Sequence, residues 1–193
     1  MTAARVLHGL DRMRAATTIA ERHYTKSVPA GESYFVAFDA AIVVWSIPAN
    51  KNIARFLLPD MEAPKVWELS RLWAPDGHER NLLTRAISAA TRVLVKLERP
   101  DLVVSYADPN VGHLGGIYRA ASWLYHGQST ETRRYERDGQ AVARRAFHSG
   151  TRALKKADIE RHGYREVKAD GKHRFVRPLS RAARRLVKQE ARP

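Results

Sequence analysis

Between Ser105 and Trp123 the chain reads SYADPNVGHLGGIYRAASW, which sets Asp108, His113 and Tyr118 within eleven residues, separated by glycines and one proline. A carboxylate, an imidazole and a phenol can each give or take a proton, and the first two also ligate metals. Three such groups around one loop make a candidate site. Each alone has an ordinary alternative. An Asp before Pro forms turns, a loop His is solvated, and a Tyr beside Ile117 packs with its hydroxyl at the rim of a core.

The elements around the loop decide whether these side chains can converge. DLVVSYA is β-branched and apolar, so it is predicted as a strand, and Asp108 then falls at its C-terminal end, where open sheets place ligand crevices. GGIYRAASWLYHG is predicted as a helix closed by Gly127, and the small residues before it let backbone N–H groups approach an anion or a carbonyl. As a phosphate motif the string is weak. Upstream, a helix is expected over about residues 5–23 with Met13, Ala16 and Ala20 on one face. SYFVAFD and AAIVVWSIP read as a hairpin around Asp39, and KVWELSRLWAP as a third strand. HERNLLTRAISAATRVLVKL is the clearest helix, with Leu83, Ile87, Ala90 and Leu94 at helical spacing. The remainder is expected to hold one or two strands and a terminal helix from about Ser180. This order implies an α/β fold with a central mixed sheet flanked by helices, as one domain over residues 1–178 and a basic helix or tail over 179–193.

Composition narrows the partners. The chain has no cysteine, which removes disulfides, thiolate metal sites and a cysteine nucleophile. Any metal must use His, Asp, Glu or Tyr. The most apolar run, FVAFDAAIVVWSI, is too short to span a bilayer and contains Asp39, so no membrane partner is expected. No basic-then-apolar leader is visible, and an intracellular protein is expected. The net charge of +14 is lopsided: residues 1–129 carry 15 Lys and Arg against 12 Asp and Glu, whereas residues 130–193 carry 19 against 8. A polyanion such as nucleic acid is the economical partner for that field, because each neutralised phosphate releases counterions.

YADPNVGHLGGIYRAASWLYHG, together with ELSRLWAPDGHERNLLTRAI and the early RHYTKSVPAG, resembles the Mom family of DNA-modification proteins of Mu-like bacteriophages. The three blocks span about residues 21–127, and the first is the most specific. The resemblance implies a Gcn5-related N-acetyltransferase-like fold, in which a mixed sheet splays between its middle strands and an acyl-coenzyme A enters the splay. The corresponding phosphate loop would be WAPDGHERN, with Gly77, His78 and Arg80 as cofactor-binding residues. That loop departs from the usual acyltransferase pattern by having one Gly and two acids, Asp76 and Glu79.

The resemblance further implies addition of a methylcarbamoyl-type group to the exocyclic amine of adenine in double-stranded DNA, protecting it from restriction in the cytoplasm of a bacterial host cell. Acetyl-CoA and iron are the cofactors it suggests. By position it carries over His23, Tyr24, Asp108, His113 and Tyr118 as catalytic residues, with His23 and Asp108 as metal ligands, since a His and carboxylate set suits non-haem iron. An amine paired inside a duplex calls for base extrusion, and Trp73 or Trp123 are candidates to stack on the base or to pack in the core. Arg71, Arg119, Arg133, Arg134, Arg144, Arg145, Lys155, Lys156, Arg181, Arg184 and Arg185 are the expected DNA contacts. The oligomeric state is open, with a homodimer among the options. Two other readings stand beside this one: an acetyl-CoA-dependent acyltransferase acting on a protein or small-molecule amine, and an inactive DNA-binding protein of the same fold.

Overall fold

The expected hairpin turns at Asp39, whose left-handed backbone (φ 49°) lets Phe38 and Ala41 face each other. It lies in a computed structural model that describes residues 3–138, 140–143, 148–149, 152–153 and 155–187. In chain order the elements begin β1 (Arg5–Val6), α1 (Gly9–Arg22), β2 (Ser33–Phe38), β3 (Ala41–Ser46), α2 (Ile53–Leu57), β4 (Val66–Trp73) and α3 (Leu82–Glu98). They continue with β5 (Leu102–Ala107), α4 (Gly116–Ala120), β6 (Leu124–Gln128), β7 (Thr132–Arg137), β8 (Gln140–Ala143), β9 (His148–Ser149) and β10 (Arg152–Ala153). The last four are α5 (Lys156–Arg161), β11 (Arg165–Ala169), β12 (His173–Pro178) and α6 (Arg181–Leu186).

Seven strands form one mixed sheet in the order β1-β2-β3-β4-β5-β12-β6. Every neighbouring pair is antiparallel except β4 and β5, which run parallel and are joined through α3. The fold is therefore the mixed α/β sheet read from the sequence. A second sheet, β11-β7-β8, stands beside it. Alternation along the central strands separates two cores. Val43, Trp45, Trp67, Leu69, Val103 and Phe175 meet α3 and α4 on one face. Val66, Leu102, Val104 and Val176 meet α2 and α6 on the other, where α1 also packs against Phe35 and Val44. Burial on both faces explains the nearly continuous apolar runs of β3 and β5.

Three expectations are corrected. The segment from Gly116 to Gly127 is not one helix. The helix stops at Ala120, Ser122 turns the chain with a left-handed backbone (φ 60°), and the rest becomes β6. Tyr125 then faces one core and Leu124 the other, an alternation a helix cannot deliver. In α1 the buried stripe is Ala15 and Ile19, while Met13 is exposed. The basic remainder holds far more than one or two strands, and one of them, β12, is inserted between β5 and β6 in the main sheet. The terminal helix forms as expected: the Ser180 side chain accepts from the Ala183 N–H at its N-cap, and Ala183 is buried with Ile53 and Leu57. Among the described residues no helix is long and apolar enough to cross a membrane.

The loop before α4 is fitted to the core by one glycine. Gly115 is left-handed (φ 76°), and a Cβ there would lie 2.1 Å from the Phe175 ring. Gly112 is equally left-handed (φ 78°) with open space around it. Gly115→Ala should therefore cost about 2–4 kcal/mol from strain and overpacking together, and Gly112→Ala about 1–2 kcal/mol from strain alone. Equal losses in denaturant unfolding would mean that Phe175 yields freely.

Candidate functional site

The parallel pair β4 and β5 stays in register for only four rungs, from Val66 with Leu102 to Leu69 with Ser105. Beyond Leu69 the strands part. The cause is local to β4: Val44 of β3 faces Arg71 while Trp45 faces Leu69, which leaves Ser70 as an extra residue, and such a bulge bends its strand. The Ser70 hydroxyl donates to the Val44 carbonyl (3.1 Å) and ties the bulge to β3. Between the parted strands lies a cavity of about 460 Å³, walled by Leu69–Ala74 of β4 and its end, Tyr106 and Ala107 of β5, Arg22, His23 and Tyr24 after α1, and His113–Tyr118.

Tyr118 closes the crotch of the splay. Its hydroxyl lies 2.8 Å from Ser105 Oγ, which is 2.7 Å from the Leu69 carbonyl. A serine has one proton and a carbonyl only accepts, so Ser105 donates to Leu69 and the Tyr118 hydroxyl donates to Ser105. The last rung of the parallel pair is thus finished by side chains. Burial pushes the Tyr118 hydroxyl up to about 12, and its ring stacks on Phe175 at 5.2 Å. Its proton is committed inside the protein.

Three of the residues singled out from the sequence do come together. The Tyr24 ring lies 4.5 Å from that of His23 and 4.9 Å from that of His113. His23 is buried, and its Nδ1 accepts the Thr25 backbone N–H (3.2 Å) with Thr25 Oγ1 also 2.9 Å away. A neutral ring that accepts at Nδ1 carries its proton on Nε2. Burial first, then the Arg71 guanidinium and His113, push His23 down to about 4. It is a neutral hydrogen-bond donor across the neutral pH range. Arg71 holds this segment against the bulge, with Nε donating to the Ser27 carbonyl (2.8 Å), Nη2 to Ser27 Oγ (3.1 Å) and Nη1 to the Ser70 carbonyl (2.6 Å).

Asp108 does not line the cavity. Its Oδ1 accepts from the Asn110 backbone N–H (3.1 Å) and side-chain amide (2.9 Å), and its Oδ2 pairs with Lys172 at 3.1 Å. Burial works to raise this carboxyl, but Asn110 and Lys172 outweigh it and hold it below the ordinary carboxylate value. Asn110 also bonds Asp170 in both directions, so the turn clasps the end of β5 to the connection before β12. Among the described residues no three His, Asp or Glu gather as a metal would require. The iron expected on His23 and Asp108 therefore does not fit: the one carboxylate proposed for it is consumed by a turn and an ion pair.

The expected cofactor loop, with Gly77, His78 and Arg80, connects β4 to α3 and leaves all three exposed. Asn81 makes no side-chain cap, and among the described residues the Leu83 and Thr84 N–H groups find no acceptor within the chain. Leu83 itself lines the cavity. An uncapped helix start beside a cavity is suited to an anion.

Of the two tryptophans, Trp123 is buried between Tyr118 and Trp45, whereas Trp73 lines the cavity. The cations are dispersed. Arg119 is exposed, with its guanidinium 5.8 Å from the Phe175 ring. Arg133 and Lys156 both pair with Glu166 (3.3 and 2.8 Å), Arg134 is half-buried, and Lys155 is exposed before α5. Arg181, Arg184 and Arg185 are exposed on α6, and Arg144 and Arg145 lie outside the described residues. Ser105 was not singled out from the sequence, although a lone serine inside LVVSYA was the signal.

A parallel pair that splays over a cavity, with an open helix start at its edge, defines a protein with the Gcn5-related N-acetyltransferase-like fold. An agmatine N-acetyltransferase has the same fold at TM-score 0.50 and 13% identity, over 93% of this chain and 100% of that one. A Bacillus subtilis acetyltransferase solved in complex with CoA aligns at TM-score 0.49 and 10% identity, with the same coverage. The Mom protein family matches residues 6–193, and the chain belongs to that family. Methylcarbamoylase mom of Escherichia phage Mu is 28% identical over 188 residues, which cover 90% of this chain and 75% of that protein.

The neutral state of His23 has a thermodynamic signature. Its folded value, about 4, lies below the ordinary imidazole value of 6.5, so between these the unfolded chain binds the extra proton. This contribution to stability is complete above pH 6.5 and is lost as pH falls towards 4. His23→Gln should flatten stability against pH in that window, because a neutral amide does not titrate. An unchanged slope would show that His23 is as easily protonated in the fold as outside it.

Proposed function

We propose that this protein transfers a methylcarbamoyl-type group from a CoA-thioester-derived donor to the exocyclic amine of adenine in duplex DNA, protecting that DNA from restriction enzymes. The observation that carries the reading is the splay cavity, where His23, Tyr24 and His113 converge in a chain of the Mom family. The name of the phage Mu relative, a methylcarbamoylase, supports the transferred group.

The residues present fit an acyl-CoA. The uncapped start of α3 suits its phosphates, and Leu69, Leu72 and Ile117 offer apolar wall to an acyl chain. When bound, the thioester supplies an activated carbonyl carbon. His23, donating from Nε2, is placed to steady negative charge on the carbonyl oxygen. His113, which lines the opening, would accept the proton lost from the amine as the nitrogen bonds to the carbonyl carbon of a methylcarbamoyl thioester, a donor that already carries the extra NH, and the thiolate would leave. The adenine amine is a poor nucleophile because its lone pair is delocalised, so removal of that proton is the demanding step. A methylcarbamoyl group contains one NH more than an acetyl group, so the mass of the product also reads the donor.

Mass analysis of nucleosides from DNA of expressing cells tests the proposal. A deoxyadenosine heavier than the parent by a methylcarbamoyl substituent is expected, and only unmodified deoxyadenosine from folded protein would contradict it. His113→Ala should remove the product without altering the thermal midpoint, since the side chain is exposed. Tyr118→Phe should keep the product and lose about 1 kcal/mol of stability, the usual value of one buried hydrogen bond.

A further inference from the structure

The sheet face that carries α1, α2 and α6 has a feature the cavity does not use. Phe56, on α2, is 57% exposed although its helix is anchored through the buried Ile53 and Leu57. Its ring lies 4.6 Å from the guanidinium of Arg174 and meets the His126 ring edge-on at 6.1 Å. Arg174 is only 7% exposed, and its Nε has no hydrogen-bond partner. A cation so buried under a ring that is itself in water holds the ring in place and leaves its outer face open. Arg174 is the β12 residue directly opposite Tyr106, and Tyr106 lines the cavity. Phe56 thus sits over β12, the strand next to the one whose Tyr106 lines the cavity.

The surrounding charge points to the occupant. Lys51 and Arg55 on and before α2, and Arg181, Arg184 and Arg185 on α6, are exposed, and among the described residues none of them pairs with a carboxylate. The two helices share one core cluster, so both pack on the same face of the sheet. The second sheet is different. There Arg133 and Lys156 pair with Glu166, Arg165 with Glu136, and Lys168 with Glu131. Cations already neutralised by the protein release fewer counterions from a nucleic acid than free ones do.

We infer that the α2–α6 face is the surface on which duplex DNA docks, with Phe56 as a stacking residue that covers the bases left exposed when an adenine is drawn into the neighbouring cavity. The inference rests on the adenine-modification reading above. It adds the side of the sheet from which DNA approaches and a residue that reads the extruded state. Base-on-aromatic stacking is tolerant of sequence, and it favours DNA in which the base is already unpaired.

Binding measured by fluorescence polarisation tests it, using a duplex of random sequence and the same duplex with abasic sites opposite adenines. Wild-type protein should bind both and prefer the abasic form. Phe56→Ala and Phe56→Leu should each lose that preference, with about ten-fold weaker binding to the abasic duplex. The double variant Arg184→Gln and Arg185→Gln should reduce the slope of log affinity against log salt by about two, whereas Lys168→Gln with Arg165→Gln should leave it unchanged. If wild-type protein binds both duplexes but the Phe56 variants retain the preference, or the Lys168 and Arg165 pair alone changes the slope, the inference is overturned and the adenine reading stands. If wild-type protein binds neither duplex, the adenine reading falls together with the inference.

Discussion

Two parallel strands that pair for four rungs and then diverge must leave a wedge of unpaired backbone in the middle of a sheet, and the molecule is arranged around that wedge. The bulge at Ser70 makes β4 bend away, and water or a ligand must meet the freed groups unless the protein does. At the narrow end the protein does so itself: Ser105 completes the Leu69 carbonyl, and Tyr118 completes Ser105. Further out the wedge stays open as the cavity. The same constraint accounts for Gly115, because the loop that delivers Tyr118 must pass against Phe175 with no room for a Cβ.

Electrostatics divide the ionisable groups by their distance from this opening. His23, walled in beside Arg71, is held neutral and presents a donor. Asp108, one residue past the end of β5, is held as a carboxylate by Asn110 and Lys172 and fastens the sheet edge. Both stand within one short loop or turn of the cavity, yet one faces it and the other is spent on structure. The separation follows from hydrogen-bond partners, which no spacing in a sequence displays. Arg71 shows the same economy: its Nε and both terminal nitrogens bind protein oxygens, so it shapes the His23 segment where a free arginine would seek a phosphate.

Much of the fold was legible because its signals are local. The hairpin at Asp39, the third strand and the long α3 all carry patterns longer than their nearest alternatives, and the alternation of strands with helices gave the mixed sheet. The failures have a common cause. LYHGQ is five residues long and sits directly behind a helical signal, so only its partner β12 decides that it is a strand, and β12 lies some fifty residues away. The geometry of the candidate site was partly legible. His23, Tyr24 and His113 converge although ninety residues of chain separate the first from the last, because the family pattern linked blocks that composition could not. Asp108 looked equal to them in sequence but does not line the cavity, because it is paired with Lys172, from a segment that carried no motif.

If the wedge beyond Leu69 holds the acyl donor, amide hydrogen exchange with and without acetyl-CoA reads it directly. The unpaired edge of β4 from Ser70 to Trp73 and the first turn of α3 at Leu83 and Thr84 should exchange more slowly when the ligand is present, while the amides of α2 and α6 should not change. Protection that leaves Ser70–Trp73 untouched, or that falls on α2 and α6 instead, would contradict it.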